Sequence, residues 1–143
     1  MRNLAKDEAA RAKARGASVY EYLEAAYRAE HGDTPSGLLV LPHFAGAATP
    51  YMDIGSRGAI LGLRDDTGVA ELYRGCMEGV AYEMLLNARA VKDSGVHFKK
   101  LHATGGGARS TVWMQMKADM LNVPIVGQIY AAIRSGTHLS GSR

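Results

Sequence analysis

Three consecutive glycines form the segment of this chain best suited to binding a phosphate-bearing ligand. Gly105, Gly106 and Gly107 follow a short apolar segment and precede Ser110 and an apolar-faced stretch that runs to Met120. This order predicts a strand, a glycine turn and a helix. Such a turn exposes backbone N–H groups beside the positive end of a helix dipole, where anions bind. Residues without a Cβ atom also let a ligand approach the main chain. A nucleotide is therefore the first candidate ligand.

The glycine turn matches neither of the two common nucleotide-binding patterns. No Gly-Lys-Ser/Thr follows the glycines, so the segment is not a Walker A loop. Ser110 stands where a dinucleotide fingerprint needs a third glycine or an alanine. On spacing alone, a flexible strand-to-helix connection without a ligand remains an open alternative.

The composition is typical of one globular domain. The chain has 143 residues, 47% hydrophobic and 22% charged, which is enough to bury a modest core. Its net charge is only +3 and no run of lysine and arginine exceeds two residues, so no nucleic-acid partner is indicated. The apolar runs are too short to cross a bilayer, and the N-terminus lacks the apolar region of a signal peptide. With one cysteine and hence no internal disulfide, we expect a cytoplasmic protein without membrane association.

The remaining segments alternate between helical and strand patterns, which predicts an α/β domain. A capping box at Ser18 and Glu21 and a stop at Gly32 delimit one of the helices. The five histidines show no ligand-like spacing and are interpreted as surface or loop residues. Between the elements, residues 43–57 form a long loop of the kind that often borders a site. The predicted helices are residues 3–15, 19–31, 68–94 and 111–121, and the predicted strands are 37–42, 58–63, the short strand before the glycine turn, and 123–126.

Two glycines lie one turn apart on the apolar stripe of the longest predicted helix. Gly75 and Gly79 each cost about 1 kcal/mol of helix propensity relative to alanine. We therefore predict that another backbone packs closely against this face. Cys76 lies in the same stripe and is interpreted as a packing residue rather than a reactive thiol. In the helix after the glycine turn, Ser110 or Thr111 is the expected N-cap, and the expected buried face is Trp113, Met116, Lys117 and Met120.

Several segments together resemble the C-terminal domain of the FGGY carbohydrate kinases, the family of xylulokinase, gluconokinase, ribulokinase and glycerol kinase. The segments that carry the resemblance are residues 39–46, 49–53, 58–78 and 105–124. Gly75 and Cys76 depart from the usual signature residues, but both replacements are small. The resemblance covers about residues 1–127. It implies a partial actin-like, ribonuclease-H-like α/β domain that is incomplete at both ends.

The same resemblance implies that the glycine turn lines the adenosine side of an ATP site. The implied nucleotide-binding residues are Gly105, Gly106, Gly107, Ala108, Arg109 and Ser110. The glycines and Ala108 would approach adenosine and the α-phosphate through their backbone, and Arg109 or Ser110 would add a polar contact. The γ-phosphoryl group of Mg-ATP would pass to a sugar or polyol hydroxyl. No Mg²⁺ ligand is identified in this chain.

No catalytic residue is assigned. In the family, the N-terminal domain carries the sugar site and the aspartate base, and a chain of this length has no room for that domain. Asp65 and Asp66 flank a helix start and are interpreted as caps, Asp119 is interpreted as structural, and Asp53 has no assigned role.

The end of the chain departs from the family pattern. Residues 128–143 lack the expected acidic residue and glycine-rich helix, and we predict that they are disordered at their end. A truncated or frame-shifted gene product would explain this. Three hypotheses stay open: a sugar-kinase fragment that is inactive alone; a non-enzymatic half-domain that binds a nucleotide or a partner; and a structural remnant that self-associates through an exposed interdomain face or sheet edge.

Overall fold

The computed structural model describes residues 5–127, which form a mixed α/β arrangement. The predicted alternation of helices and strands is confirmed. The predictions for residues 128–143, including the disordered end, lie outside the described residues. The elements are α1 (Lys6–Ala14), α2 (Val19–His31), β1 (Leu39–Leu41), β2 (Ala59–Leu61), α3 (Val69–Asp93), β3 (Leu101–Ala103), a 3-10 helix (Gly106–Arg109), α4 (Thr111–Leu121) and β4 (Ile125–Gly127).

The strands of the described residues form two separate pairs. β1 and β2 are antiparallel, with Val40 opposite Ile60. β3 and β4 are parallel, with Leu101 opposite Ile125, and the 3-10 helix and α4 connect them. This second pair is a βαβ unit, so the glycine turn lies at the carboxyl end of a parallel strand. β1 ends at Leu41, one residue before its predicted end, because Pro42 has no N–H to extend the ladder.

Local signals set the ends of α2, as predicted. The Glu21 N–H donates to Ser18 Oγ (3.2 Å) and the Ser18 N–H donates to Glu21 Oε2 (2.9 Å), which completes the capping box. The hydrogen bond from the Ser18 N–H lowers the pKa of Glu21. Gly32 ends the helix with a φ of +65°, a conformation that glycine adopts without strain. Both ends of α2 are therefore determined by residues close to them in the sequence.

A close approach between α3 and β1 confirms the prediction made from the two helical glycines. A Cβ atom added at Gly79 would overlap the carbonyl oxygen of Val40 and lie 3.2 Å from its Cβ. A Cβ added at Gly75 would lie 3.1 Å from side-chain atoms of both Leu38 and Val40. The backbone of β1 thus crosses directly over this face of α3.

The opposite side of α3 packs on α4 and forms the main core. Met77, Ala81 and Met116 are buried together, and the half-buried side chains around them are Tyr73, Val112, Trp113 and Met120. Two members of the predicted buried face of α4, Met116 and Lys117, are buried. Trp113 and Met120 are half-buried, and Leu121 is buried in addition. α4 therefore packs through a wider face than the sequence pattern indicates.

One interpretation of polar residues is wrong. Asp65 and Asp66 do not cap α3, whose N-cap is Gly68 without a side-chain hydrogen bond. Asp66 instead accepts from Arg64 Nε (3.0 Å), because a charge-assisted bond two residues away competes with capping. His43 lies in the loop after β1, which agrees with its interpretation as a surface or loop residue, and its side chain is buried there.

The buried histidine joins the long loop to α3. His43 Nδ1 lies 2.8 Å from Ser56 Oγ, and its Nε2 lies 3.3 Å from Glu83 Oε1. The two ends of loop 43–57 are thereby held against α3. Within residues 5–127, no helix combines the length and the apolar character needed to cross a membrane.

Candidate functional site

A groove of about 500 Å³ lies between the start of α2, the middle of α3 and the glycine turn. We call it the glycine-turn groove. Its volume is within the range of small-molecule sites. The residues that line it are Ser18, Tyr20, Glu21 and Glu24 from α2 and its cap; Tyr73, Cys76, Met77 and Val80 from α3; and Gly106, Gly107, Arg109, Ser110, Thr111 and Trp113 from the turn and α4.

The structure brings four of the six predicted site residues together in this groove, namely Gly106, Gly107, Arg109 and Ser110. Gly105 and Ala108 are not among the lining residues. Gly105 sets the direction of the turn through its φ of +85°. Ala108 lies toward β4, where its carbonyl oxygen is 3.2 Å from the position of a Cβ on Gly127.

The three glycines have different physical reasons to be glycine. Gly105 needs a positive φ. At Gly107, an added Cβ would lie 2.7 Å from Cζ3 of the Trp113 ring, so close packing excludes a side chain. At Gly106, nothing lies within 4 Å of an added Cβ, and its φ is not positive. Neither backbone conformation nor packing within the described residues therefore requires glycine at position 106, where the bare main chain faces the groove.

Ser110 joins the glycine turn to α2 as well as capping α4. Its Oγ accepts from the Trp113 N–H (3.0 Å) and donates to Glu24 Oε1 (2.7 Å). This confirms one of the two predicted caps. The hydroxyl proton is already committed, so the polar contact expected from Ser110 or Arg109 falls mainly to Arg109. Arg109 is exposed and has no hydrogen-bond or ion-pair partner among residues 5–127.

Ten of the fourteen groove residues were not predicted as site residues, and three of them, Tyr20, Glu24 and Tyr73, form a polar and aromatic cluster. The Tyr73 hydroxyl donates to Glu24 Oε1 (3.4 Å), and the ring of Tyr20 lies 5.9 Å from that of Tyr73. Burial raises the pKa of Tyr73, and the neighbouring Glu24 raises it further. The available signal was the spacing of Tyr20 and Glu24, four residues apart and hence on one face of α2. Tyr73 carries no such signal, because its position on the apolar stripe of α3 indicates only packing.

The indole ring of Trp113 is fixed from two directions. Its Nε1–H donates to the carbonyl oxygen of Met77 (3.1 Å), and Lys117 Nζ lies 3.6 Å from the ring centroid. Burial lowers the pKa of Lys117, and the contact with the ring face partly compensates the lost hydration of its ammonium group. Trp113 is the only tryptophan of the chain and lines the groove, so tryptophan fluorescence has a single source at this site.

The electrostatics of the groove suit a nucleoside better than a phosphate at the start of α4. The Glu24 carboxylate, bonded to the N-cap Ser110, already interacts with the positive end of the helix dipole. A phosphate there would face a like charge. The aromatic and aliphatic walls instead suit a flat heterocycle, and the Arg109 guanidinium suits an anionic extension of the same ligand.

Neither metal binding nor thiol chemistry is indicated in the described part of the chain. Residues 5–127 hold no group of three or more His, Cys, Asp or Glu side chains placed to bind a metal ion. Of the two groove carboxylates, Glu21 belongs to the capping box. Burial raises the pKa of the Cys76 thiol, which lowers its thiolate fraction and agrees with a packing role.

Comparisons with known proteins agree with this geometry. The family described as FGGY carbohydrate kinases, C-terminal domain, matches residues 1–132. A glycerol kinase of Deinococcus radiodurans is 38% identical over 96 residues, which are 66% of this chain and 19% of that protein. The chain thus spans about a fifth of the length of the curated relatives it matches.

Solved structures show the same architecture. A xylulose kinase from Rhodospirillum rubrum aligns with a TM-score of 0.66 and 30% identity, covering 88% of this chain and 23% of that one. A Plasmodium falciparum glycerol kinase solved with ADP shares the fold at a TM-score of 0.60 and 23% identity, covering 68% of this chain and 20% of that one. The predicted actin-like fold and the predicted resemblance are confirmed.

Proposed function

The chain belongs to the FGGY family of carbohydrate kinases, and from that premise we propose that it binds ATP or ADP in the glycine-turn groove. It would supply the nucleoside side of the site in a reaction that moves the γ-phosphoryl group of Mg-ATP to a sugar or polyol hydroxyl. The observation that carries the proposal is Gly106, whose bare backbone faces the groove although neither conformation nor packing in residues 5–127 requires glycine there.

The side chains that line the glycine-turn groove are suited to binding and orienting a nucleotide rather than to transferring a proton. Tyr20, Tyr73 and Trp113 provide aromatic surface for a base, and Arg109 provides a cation for the phosphates. Phosphoryl transfer depends mainly on positioning and charge stabilisation. The base that deprotonates the sugar and the sugar site itself would come from another domain, so we propose that this chain alone has no turnover. Mg²⁺ would enter the site bound to the nucleotide. The protein would act in the cytoplasm, where ATP is present.

Nucleotide binding is expected to change the fluorescence of Trp113. Titration of the full chain with Mg-ATP and Mg-ADP should give a saturable change. Gly106→Val should weaken binding by about tenfold or more, because the added methyl groups would project toward the ligand (about 1.4 kcal/mol). Gly68→Val is the matched control, since an added Cβ at Gly68 also meets nothing within 4 Å and Gly68 lies outside the groove.

Two results would contradict the proposal. Absence of a saturable signal in both fluorescence and calorimetry at millimolar nucleotide would exclude a nucleotide site. If Gly106→Val and the wild type bind the nucleotide with equal affinity, the nucleotide does not bind against Gly106 in the glycine-turn groove. Gly107→Val is a poorer test, because its side chain would displace the Trp113 ring whether or not a ligand binds.

A second candidate function is docking to a partner lobe, and the outer face of β1 and β2 favours it. Leu39, Leu41 and Leu61 are 59%, 39% and 61% exposed there, which forms an apolar patch of the kind found at interfaces. Adding a separately expressed N-terminal domain of an FGGY kinase should then restore sugar-dependent ATP turnover. Self-association in sedimentation experiments, without restored turnover, would instead support the structural remnant.

A further inference from the structure

The carboxylate of Glu24 has an oxygen without a donor. Its Oε1 accepts from Ser110 Oγ (2.7 Å) and from the Tyr73 hydroxyl (3.4 Å). Its Oε2 has no hydrogen-bond or ion-pair partner among residues 5–127, and Glu24 lines the glycine-turn groove. An ionised carboxylate only accepts hydrogen bonds. Within the groove, this oxygen therefore favours a ligand group that can donate a hydrogen bond.

We propose that Glu24 selects the nucleoside by accepting a hydrogen bond from an N–H or O–H group of the bound ligand. This inference rests on the proposed nucleotide site. Two parts of ATP offer such a donor: the exocyclic amino group of adenine and the ribose hydroxyls. A keto oxygen or a phosphate oxygen at the same position would meet the carboxylate as a second acceptor and be rejected.

The acceptor is held in place before a ligand arrives. Ser110 is fixed by its bond from the Trp113 N–H, and it fixes Glu24 Oε1 in turn. The capping box orients the first turn of α2, one turn before Glu24. A preorganised acceptor loses little conformational entropy when it binds. It also penalises an analogue that leaves it unpaired.

The test compares four nucleotides by Trp113 fluorescence: ATP, inosine triphosphate, 2′-deoxy-ATP and 3′-deoxy-ATP. Inosine triphosphate carries a keto oxygen where adenine carries its amino group, so it tests the base, and the deoxy compounds test the ribose. We expect one of these analogue classes to bind about tenfold more weakly than ATP. In Glu24→Ala this preference should fall to within about twofold of unity, and Glu24→Gln should also lose the preference for ATP. Where the base is the donor, Glu24→Gln should favour inosine triphosphate, because its amide can donate to the keto oxygen.

Glu21→Gln is the matched control. It removes the same charge from the same groove, and glutamine preserves the capping box. Its preference among the four nucleotides should equal that of the wild type. Glu24→Gln keeps the size of the side chain, so circular dichroism can verify its fold even where Glu24→Ala does not fold.

The outcomes separate this inference from the proposed function. If no nucleotide binds to the wild type, both are overturned. If ATP binds but all four nucleotides bind equally, or if Glu24→Gln keeps the wild-type preference, the role of Glu24 is overturned while the nucleotide site stands.

Discussion

Gly79→Ala is expected to lower the free energy of unfolding by about 2 kcal/mol or more, although alanine is the better helix former. The new Cβ would overlap the backbone carbonyl oxygen of Val40, so strand β1 or helix α3 would have to shift. Overpacking typically costs 1–3 kcal/mol, and more where backbone must move. The gain in helix propensity, about 1 kcal/mol, offsets only part of this cost. Urea unfolding followed by circular dichroism measures the difference.

Substitutions at two other glycines, Gly75 and Gly68, provide comparisons for the stability cost expected of Gly79→Ala. At Gly75 an added Cβ would meet side-chain atoms of Leu38 and Val40 at 3.1 Å, which can adjust, so Gly75→Ala should cost less than Gly79→Ala. At Gly68 nothing lies within 4 Å, so Gly68→Ala should cost only the lower N-cap preference of alanine, about 0.5–1 kcal/mol. Equal stability of Gly79→Ala and the wild type would contradict the close crossing of β1 over α3.

This crossing also matters for the site. α3 packs on β1 through the face that carries Gly79, and it presents Tyr73, Met77 and Val80 to the glycine-turn groove. A shift of α3 would move that wall relative to the glycine turn. Gly79→Ala should therefore also weaken nucleotide binding at temperatures where the protein is still folded.

The features that could be predicted from the sequence depend on residues close together in the chain. The capping box joins Ser18 and Glu21, three residues apart, and its pattern fixes its geometry. Gly75 and Gly79 lie one helical turn apart and pointed to a close backbone approach. Strand pairing could not be predicted in the same way, because short apolar runs do not specify a partner or a register.

The contacts that build the groove join distant residues. Glu24 and Ser110 are 86 positions apart, and nothing local to α2 indicates that its carboxylate reaches the cap of α4. The three glycines are identical in the sequence, yet one needs a positive φ, one accommodates the Trp113 ring and one is open. The burial of His43 could not be predicted for the same reason, since its partner Glu83 lies on a helix that begins after the next strand.

The buried carboxylate of Glu78 is expected to contribute the largest electrostatic effect on stability. It is 3% exposed, accepts from Arg74 Nε (2.6 Å), and accepts from both the N–H (3.1 Å) and the hydroxyl (2.8 Å) of Ser36. These bonds tie the segment before β1 to α3. Glu78→Ala would leave the half-buried Arg74, whose side chain is 13% exposed, without its carboxylate. Breaking a buried pair from one side costs about 3–5 kcal/mol, so Glu78→Ala should unfold at a much lower urea concentration.

A surface ion pair of the same protein is the control for this prediction. Arg28 Nη2 and Asp33 Oδ2 are 2.9 Å apart, but their side chains are 62% and 71% exposed. Asp33→Ala should therefore cost less than about 1 kcal/mol, and high salt should reduce that cost further. The cost of Glu78→Ala should largely persist in high salt, because the two side chains are only 13% and 3% exposed and salt screens such pairs much less. Adding Arg74→Ala to Glu78→Ala should recover part of the lost stability, since it removes the uncompensated charge. Strictly additive losses in this double-mutant cycle would show that the two side chains are not coupled.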